Sequence, residues 1–272
     1  MIAIVTETLC CMNPADCTAY GVHMIPLTCR WGEQVCTDRI LSREECIPGG
    51  AGFSVPPSEE LYRQHFEKLL STHDGVFCIT ASRKFSESNR HATLAAASFD
   101  GRVVVIDSGT VAGGLFLLVL RARHMVTLGY PMSRMKAELE SYKNNLRVSF
   151  TTDDIQVLRN AKRLVYKPAD GAAVTPRHPV FRIENGEIGV FEISTTNRHT
   201  VESMLSVFNA PRSAARTAPS RVVVHYANRT AVVEYLLARL AELYPSATIY
   251  ERPITLSIQL NLGYDIIGVV GD

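Results

Sequence analysis

Net charge is almost missing from this chain: 28 basic residues stand against 27 acidic ones in 272. A nucleic-acid binder needs a concentrated basic surface to displace counterions, so that class is set aside. Long apolar runs are missing too. The longest, near Leu115 to Leu120, falls far short of the ~20 residues that span a bilayer. The opening Met1-Ile-Ala-Ile-Val-Thr6 lacks the basic leader and apolar run of a signal peptide. A cytoplasmic protein without membrane insertion is the expectation. Cys10, Cys11, Cys17, Cys29, Cys36, Cys46 and Cys78 contain no CxxC spacing, which suits neither a zinc site nor a disulfide scaffold. No GxGxxG follows a strand, no phosphate-binding GxxxxGK[ST] occurs and no GxSxG elbow is present. His178, His199 and His225 are scattered without ligand spacing. No metal, cofactor or catalytic set is therefore expected, and the residues by themselves describe a binder.

What is present is hydrophobic substance, 46% of the residues, in a chain longer than one compact domain needs. Two lobes around a cleft follow, 1–149 and 150–272. The first half alternates strand and helix. Ile2 to Val5, Gly75 to Thr80 and Arg102 to Asp107 read as strands. Pro14 to Tyr20, a stretch capped by Ser58, Lys84 to Ser98, Gly109 to Leu128 and Met132 to Asn144 read as helices. That order predicts a parallel sheet covered by helices. His23 to Trp31 and Gln34 to Asp38 flank Gly32-Glu33 as a hairpin, part of an arm over about 22–57 that pairs Cys29 with Cys36 as reduced thiols. Ser42 and Glu45 form a capping-box pattern, and Pro48 with the glycines after it breaks the chain.

The second half reads as α+β with hairpins. Two alternating strands surround Asn185-Gly186, Arg221 to Tyr226, Thr248 to Ile254 and Ile266 to Val270 are further strands, Thr230 to Tyr244 is a helix, and Asn209 to Ser220 is a loop. The whole is an α/β N-terminal lobe with a hairpin arm followed by an α+β lobe.

Ligands of parallel sheets sit beyond the carboxyl ends of the strands, where loops meet helix starts. Three such ends are hydroxyl-rich: Thr6-Glu7-Thr8, Ala81 to Ser86, and Asp107 to Thr110. Free amides at a helix start, the helix dipole and a serine hydroxyl together make an anion site, and Ser86 is the best placed candidate; the bland alternative is a plain N-cap serine. Asp153-Asp154 reads as a helix start rather than an acid pair.

The order of segments resembles the DegV family. Ile2-Ala-Ile-Val-Thr-Glu7 is similar to its "IAIVTDS" opening, Gly21 to Leu27 to its "GI-x-VVPL" strand, Phe53-Ser-Val-Pro-Pro57 to "TSQPS", Ser82 to Asn89 to "SSKLSGTYQ", Val105-Ile-Asp-Ser108 with Gly113 to "VIDS…G", and Phe150 to Arg163 to "F-x-x-D-x-x-x-L-x-x-x-GRI". The resemblance implies a carrier that binds a long-chain fatty acid between its lobes, does no chemistry itself and presents the carboxylate to a fatty acid kinase. It implies ligand contacts at Ser86, Ser54, Phe53, Glu87, Thr6 and Gln259, and partner docking at Arg163 and Arg198. The family threonine is Phe53 here, the glycine after the key serine is Glu87, a histidine is absent near Gln259 to Gly263, and prolines interrupt Lys167 to Arg177 where the family has an apolar helix. Those departures keep two alternatives open. One is a binder of, or enzyme on, another small anion, using Glu7, Asp107 and Asp153. The other is a regulatory relative that lost the pocket.

Overall fold

The computed structural model describes residues 1–41, 52–153, 158, 178–184, 186–209 and 218–272. It divides into two units, Met1–Asn144 with Thr255–Ser257, and Asn145–Ile254 with Ile258–Asp272. The division falls a few residues before 149/150 because the strand Arg147–Thr151 is laddered into the second unit's sheet.

The first unit is built on four parallel strands, β1 (Ile2–Glu7), β2 (Val22–Ile25), β6 (Gly75–Thr80) and β7 (Val103–Asp107), in the order β2-β1-β6-β7. Successive strand residues point to opposite faces. Ala3, Val5, Val76, Cys78 and Val103 therefore share one face, where they pack on Tyr62, Phe66 and Leu69 of α2 (Glu59–Leu70) and on Ala92 and Ala95 of α3 (Ser88–Ala96). Ser58 starts α2 by accepting the Leu61 N–H at 3.2 Å. The apolar helix α4 (Gly113–Thr127) packs against β1 and β6, followed by α5 (Met132–Tyr142). Short α1 (Pro14–Tyr20) links β1 to β2; Asn13 and Asp16 each accept the other's backbone N–H, a capping box that fixes its start.

The sequence expectation of one β segment from His23 to Trp31 is corrected. Pro26 has no N–H to give a ladder, so the chain leaves the parallel sheet there and re-enters structure as β3 (Thr28–Trp31) in a separate three-stranded sheet with β4 (Gln34–Thr37) and β5 (Gly52–Val55), order β4-β3-β5. Within it the register Trp31↔Gln34, Arg30↔Val35, Cys29↔Cys36 is the predicted one. The α3 and α4 starts also move inward. Phe85 and Ser86 donate to the Ser82 carbonyl in a turn before α3, and Gly109, at φ +66°, cannot begin a right-handed helix.

The second unit carries six strands in the order β10-β9-β8-β13-β11-β12: β8 (Arg147–Thr151), β9 (Pro179–Glu184), β10 (Glu187–Ile193), β11 (Arg221–Tyr226), β12 (Thr248–Pro253) and β13 (Ile267–Gly271). β9 and β10 form the expected hairpin, whereas β11 and β12 are parallel and are joined through the crossover helix α7 (Ala231–Leu243). A helix not anticipated from sequence, α6 (Asn197–Asn209), lays Val201, Met204, Leu205 and Phe208 on Val180, Val222, Val224, Ile267 and Val269. Each such burial contributes about 1.5–3 kcal/mol. A second unanticipated helix, α8 (Leu256–Leu262), occupies the stretch before β13. The Ser42–Glu45 pattern, Pro48, Asn185 and the Lys167 to Arg177 stretch lie outside the described residues, as does the middle of the Asn209 to Ser220 loop.

Candidate functional site

In the first unit the chain passes from β1 to β2 on one side and later to β6 on the other. The crevice between the carboxyl ends of β1 and β6 is therefore the point where the winding reverses, the place where open parallel sheets bind ligands. Three elements bring side chains there. Glu7 ends β1, Ala81 follows β6, and Ser86 and Ser88 sit at the turn into α3.

Glu7 is fully buried. Its Oε1 accepts the Ala81 N–H at 2.6 Å and its Oε2 accepts the Ser88 hydroxyl; the Tyr62 hydroxyl lies 3.5 Å from Oε2. Ser88 Oγ is 2.8 Å from Ser86 Oγ, and Ser86 Oγ accepts the Ser88 N–H at 3.2 Å. Ser86 thus satisfies one of the first amides of α3 and remains half-buried, while Ser88 is enclosed. Burial pushes the Glu7 carboxyl up from 4.5 to about 7; its three donors oppose the rise and the nearby Asp38 charge adds to it. A carboxyl group, two linked hydroxyls and a helix start form a graded path from the core of the unit to the Ser86 hydroxyl.

A second buried carboxylate lies just beyond β4. Asp38 accepts the Ser257 N–H at 2.8 Å, the Ser257 hydroxyl at 2.6 Å and the Cys29 thiol at 3.6 Å. Burial pushes the Asp38 carboxyl above its ordinary carboxylate value against those donors, and it pushes the Cys29 thiol well up, with Asp38 adding to the effect. Cys29 therefore behaves as a hydrogen-bonded core group.

The remaining candidates are placed as follows. The buried Thr6 hydroxyl donates to the Ile79 carbonyl at 2.9 Å, a strand-to-strand tie. Glu87 is exposed, and its carboxylate pairs with Arg90 at 2.6 Å. Phe53 is 57% exposed on β5, and Ser54 stands opposite Cys29. Asp107 accepts the Gly109 N–H at 2.9 Å and lies 3.4 Å from the Arg83 guanidinium. In the second unit, Gln259 is almost wholly buried on α8. Arg198 is exposed on α6 with its guanidinium 5.6 Å from the Tyr235 ring centre, and Asp153 meets His178 at 3.1 Å. Arg163 and Asp154 lie outside the described residues. The Glu7–Ser88 link has no signal in the sequence, where Glu7 reads only as an acid and nothing says that β1 and β6 are neighbours. Among the described residues, no group of three or more His, Cys, Asp and Glu side chains could hold a metal ion, and no helix is long and apolar enough to cross a membrane.

Comparison with known proteins decides the family. A model for a family described as uncharacterised DegV proteins matches residues 1–271. The chain belongs to the DegV family. A DegV domain-containing protein of Deinococcus radiodurans is 34% identical over 164 residues, a stretch covering only 58% of each chain. One of Streptomyces coelicolor is 22% identical and spans 99% of this chain and 97% of its own. Among solved structures, a DegV family protein of Thermus thermophilus described by its fatty acid binding superposes with a TM-score of 0.87, at 23% identity over 99% of this chain and 98% of that one. DegV of Bacillus subtilis, described as a fatty acid binding protein, gives 0.83 at 22% identity over 99% and 98%. At such identities these likenesses establish that this chain has the DegV fold.

Proposed function

We propose that this chain is a cytoplasmic, non-enzymatic carrier that binds a long-chain fatty acid, with the carboxylate held at Ser86. The observation that carries this reading is the half-buried Ser86 hydroxyl at the start of α3, beside the switch point of the parallel sheet. Support comes from DegV relatives solved with vaccenic acid and heptadecanoic acid, from Ruminococcus gnavus and Eubacterium eligens. An acyl chain gains about 0.8 kcal/mol per buried CH₂, while the head group needs donors to offset its desolvation. Ser86 and the α3 amides supply donors without a fixed cation. The exposed Glu87, held by Arg90, keeps its charge paired.

Native mass spectrometry of the chain purified without delipidation should show one long-acyl mass bound. Ser86→Ala removes a hydrogen bond to a charged group worth about 1.5–3 kcal/mol, so palmitate affinity falls about tenfold to a hundredfold. A clean apo mass together with no binding of palmitate or oleate refutes the reading. A carboxylate held by neutral hydroxyls also remains able to accept a phosphoryl group from a partner fatty acid kinase. In this reading Arg198 is part of the docking surface: Arg198→Glu abolishes turnover with the kinase and leaves palmitate binding intact, and an equal loss of both overturns the docking role.

A further inference from the structure

We infer that Glu7 is a positioning residue that couples head-group binding to protonation: when an acid anion is held at Ser86, Glu7 takes up a proton from solvent and returns it as a hydrogen bond through Ser88. This inference rests on the carrier reading and specifies how the same site is regulated.

The hydroxyl chain has two arrangements. With Glu7 ionised, the Ser88 O–H is committed inward to Oε2. Ser88 then has no proton to give Ser86, and a head group outside Ser86 adds a second negative charge to a water-poor site. With Glu7 protonated, its O–H donates to Ser88 Oγ, Ser88 donates to Ser86 Oγ across their 2.8 Å separation, and the Ser86 proton is aimed at the ligand. Every donor then runs the same way, which strengthens each link, and the site holds a single negative charge. No bond other than O–H changes, and the proton balance is one taken from water per anion bound. The Ala81 N–H serves Oε1 in both arrangements.

Among the described residues, no cation offers Glu7 an easier partner. The titratable groups facing it are Tyr62 from α2, Cys78 from β6, Cys10 from the turn after β1, and Asp38 beyond β4. Burial keeps the thiols and the phenol in their neutral forms, and Asp38 is of like sign. An arriving anion therefore acts on Glu7 in one direction only. Because linkage is reciprocal, affinity for an anion must weaken as Glu7 loses its proton. Above the neutral region the expected loss is about tenfold per pH unit.

The test uses full-length delipidated protein and hexadecane-1-sulfonate, whose charge is constant throughout the range, beside palmitate and uncharged hexadecanol. Titration calorimetry in two buffers of different ionisation enthalpy reads the protons exchanged. Above about pH 7, where Glu7 is ionised in the ligand-free protein, wild type takes up close to one proton per sulfonate and none with hexadecanol. Glu7→Gln, which keeps the acceptor for Ala81 and presents an N–H to Ser88, binds sulfonate with no uptake and with pH-independent affinity. Ser88→Ala, which breaks the chain, also abolishes uptake and stands in should the Gln variant fail to fold by circular dichroism. Sulfonate binding without uptake in wild type, or unchanged uptake in the Gln variant, overturns the inference while leaving the carrier reading in place. Failure of all three acyl probes to bind at any pH overturns the carrier reading, and the coupling with it.

Discussion

Replacing Glu7 by Gln should stabilise the ligand-free protein, increasingly as pH rises from 4.5 to about 7. In the folded chain the carboxyl titrates at about 7 and in the unfolded chain near 4.5. Below 4.5 both states are protonated and Glu7 adds no pH-dependent term. Between the two values the unfolded chain has released a proton that the folded chain retains, so unfolding releases a proton and stability falls as pH rises. Above about 7 the loss is complete. An interval from 4.5 to about 7, at about 1.4 kcal/mol per unit, corresponds to about 3 kcal/mol. The Gln amide keeps the Ala81 bond and donates to Ser88, reproducing the protonated form. The difference in urea unfolding between variant and wild type should therefore be small near pH 4.5, grow towards neutrality, and level off at about 3 kcal/mol in favour of Gln. Taking the difference cancels every other titrating group. Parallel profiles throughout, or a wild type that gains on the variant as pH rises, would show that the Glu7 carboxyl ionises freely in the folded protein and that the burial argument is mistaken.

Asp38→Ala leaves the Ser257 N–H and hydroxyl without their carboxylate, at about 1–3 kcal/mol per buried group, or about 2–6 kcal/mol together; amide exchange at Leu256 and Ser257 should speed up far more than exchange in β1, and unchanged protection there refutes the tie. Gly114→Ala brings a Cβ to 2.5 Å from the Thr110 side chain, which is itself buried, so a loss of about 1–3 kcal/mol by overpacking is expected in thermal unfolding, and the double variant with Thr110→Ser should recover part of it.

Much of the fold was legible because its elements announce themselves locally. β6 and β11 coincide with their predicted limits, since each is a short β-branched or aromatic run bounded by turn residues. Ser58 and the Gly32-Glu33 turn worked for the same reason: a cap and a two-residue loop are decided by neighbours in the chain. What failed to show was decided at long range. α6 begins at Asn197 amid polar residues, and its apolar stripe is completed only through Val201, Met204, Leu205 and Phe208 meeting the sheet. β5 is a four-residue strand made by pairing with β3. At the site, Ser86 could be chosen because helix starts attract anions. Glu7 and Ser88 could not be joined, because their contact depends on the strand order β2-β1-β6-β7, which no periodicity encodes.

Asp38 and Ser257 meet across 219 positions of chain. During synthesis the first unit therefore waits for a segment made long after its own strands, and until then a buried acid is left facing no donor from that quarter. Closing so long a loop is entropically slow relative to the local pairing around it. A fragment truncated after Asn144 would carry every strand of the parallel sheet yet leave that carboxylate short of two of its donors. Efforts to express the unit separately should graft the Thr255–Ser257 segment back rather than cut cleanly at the boundary.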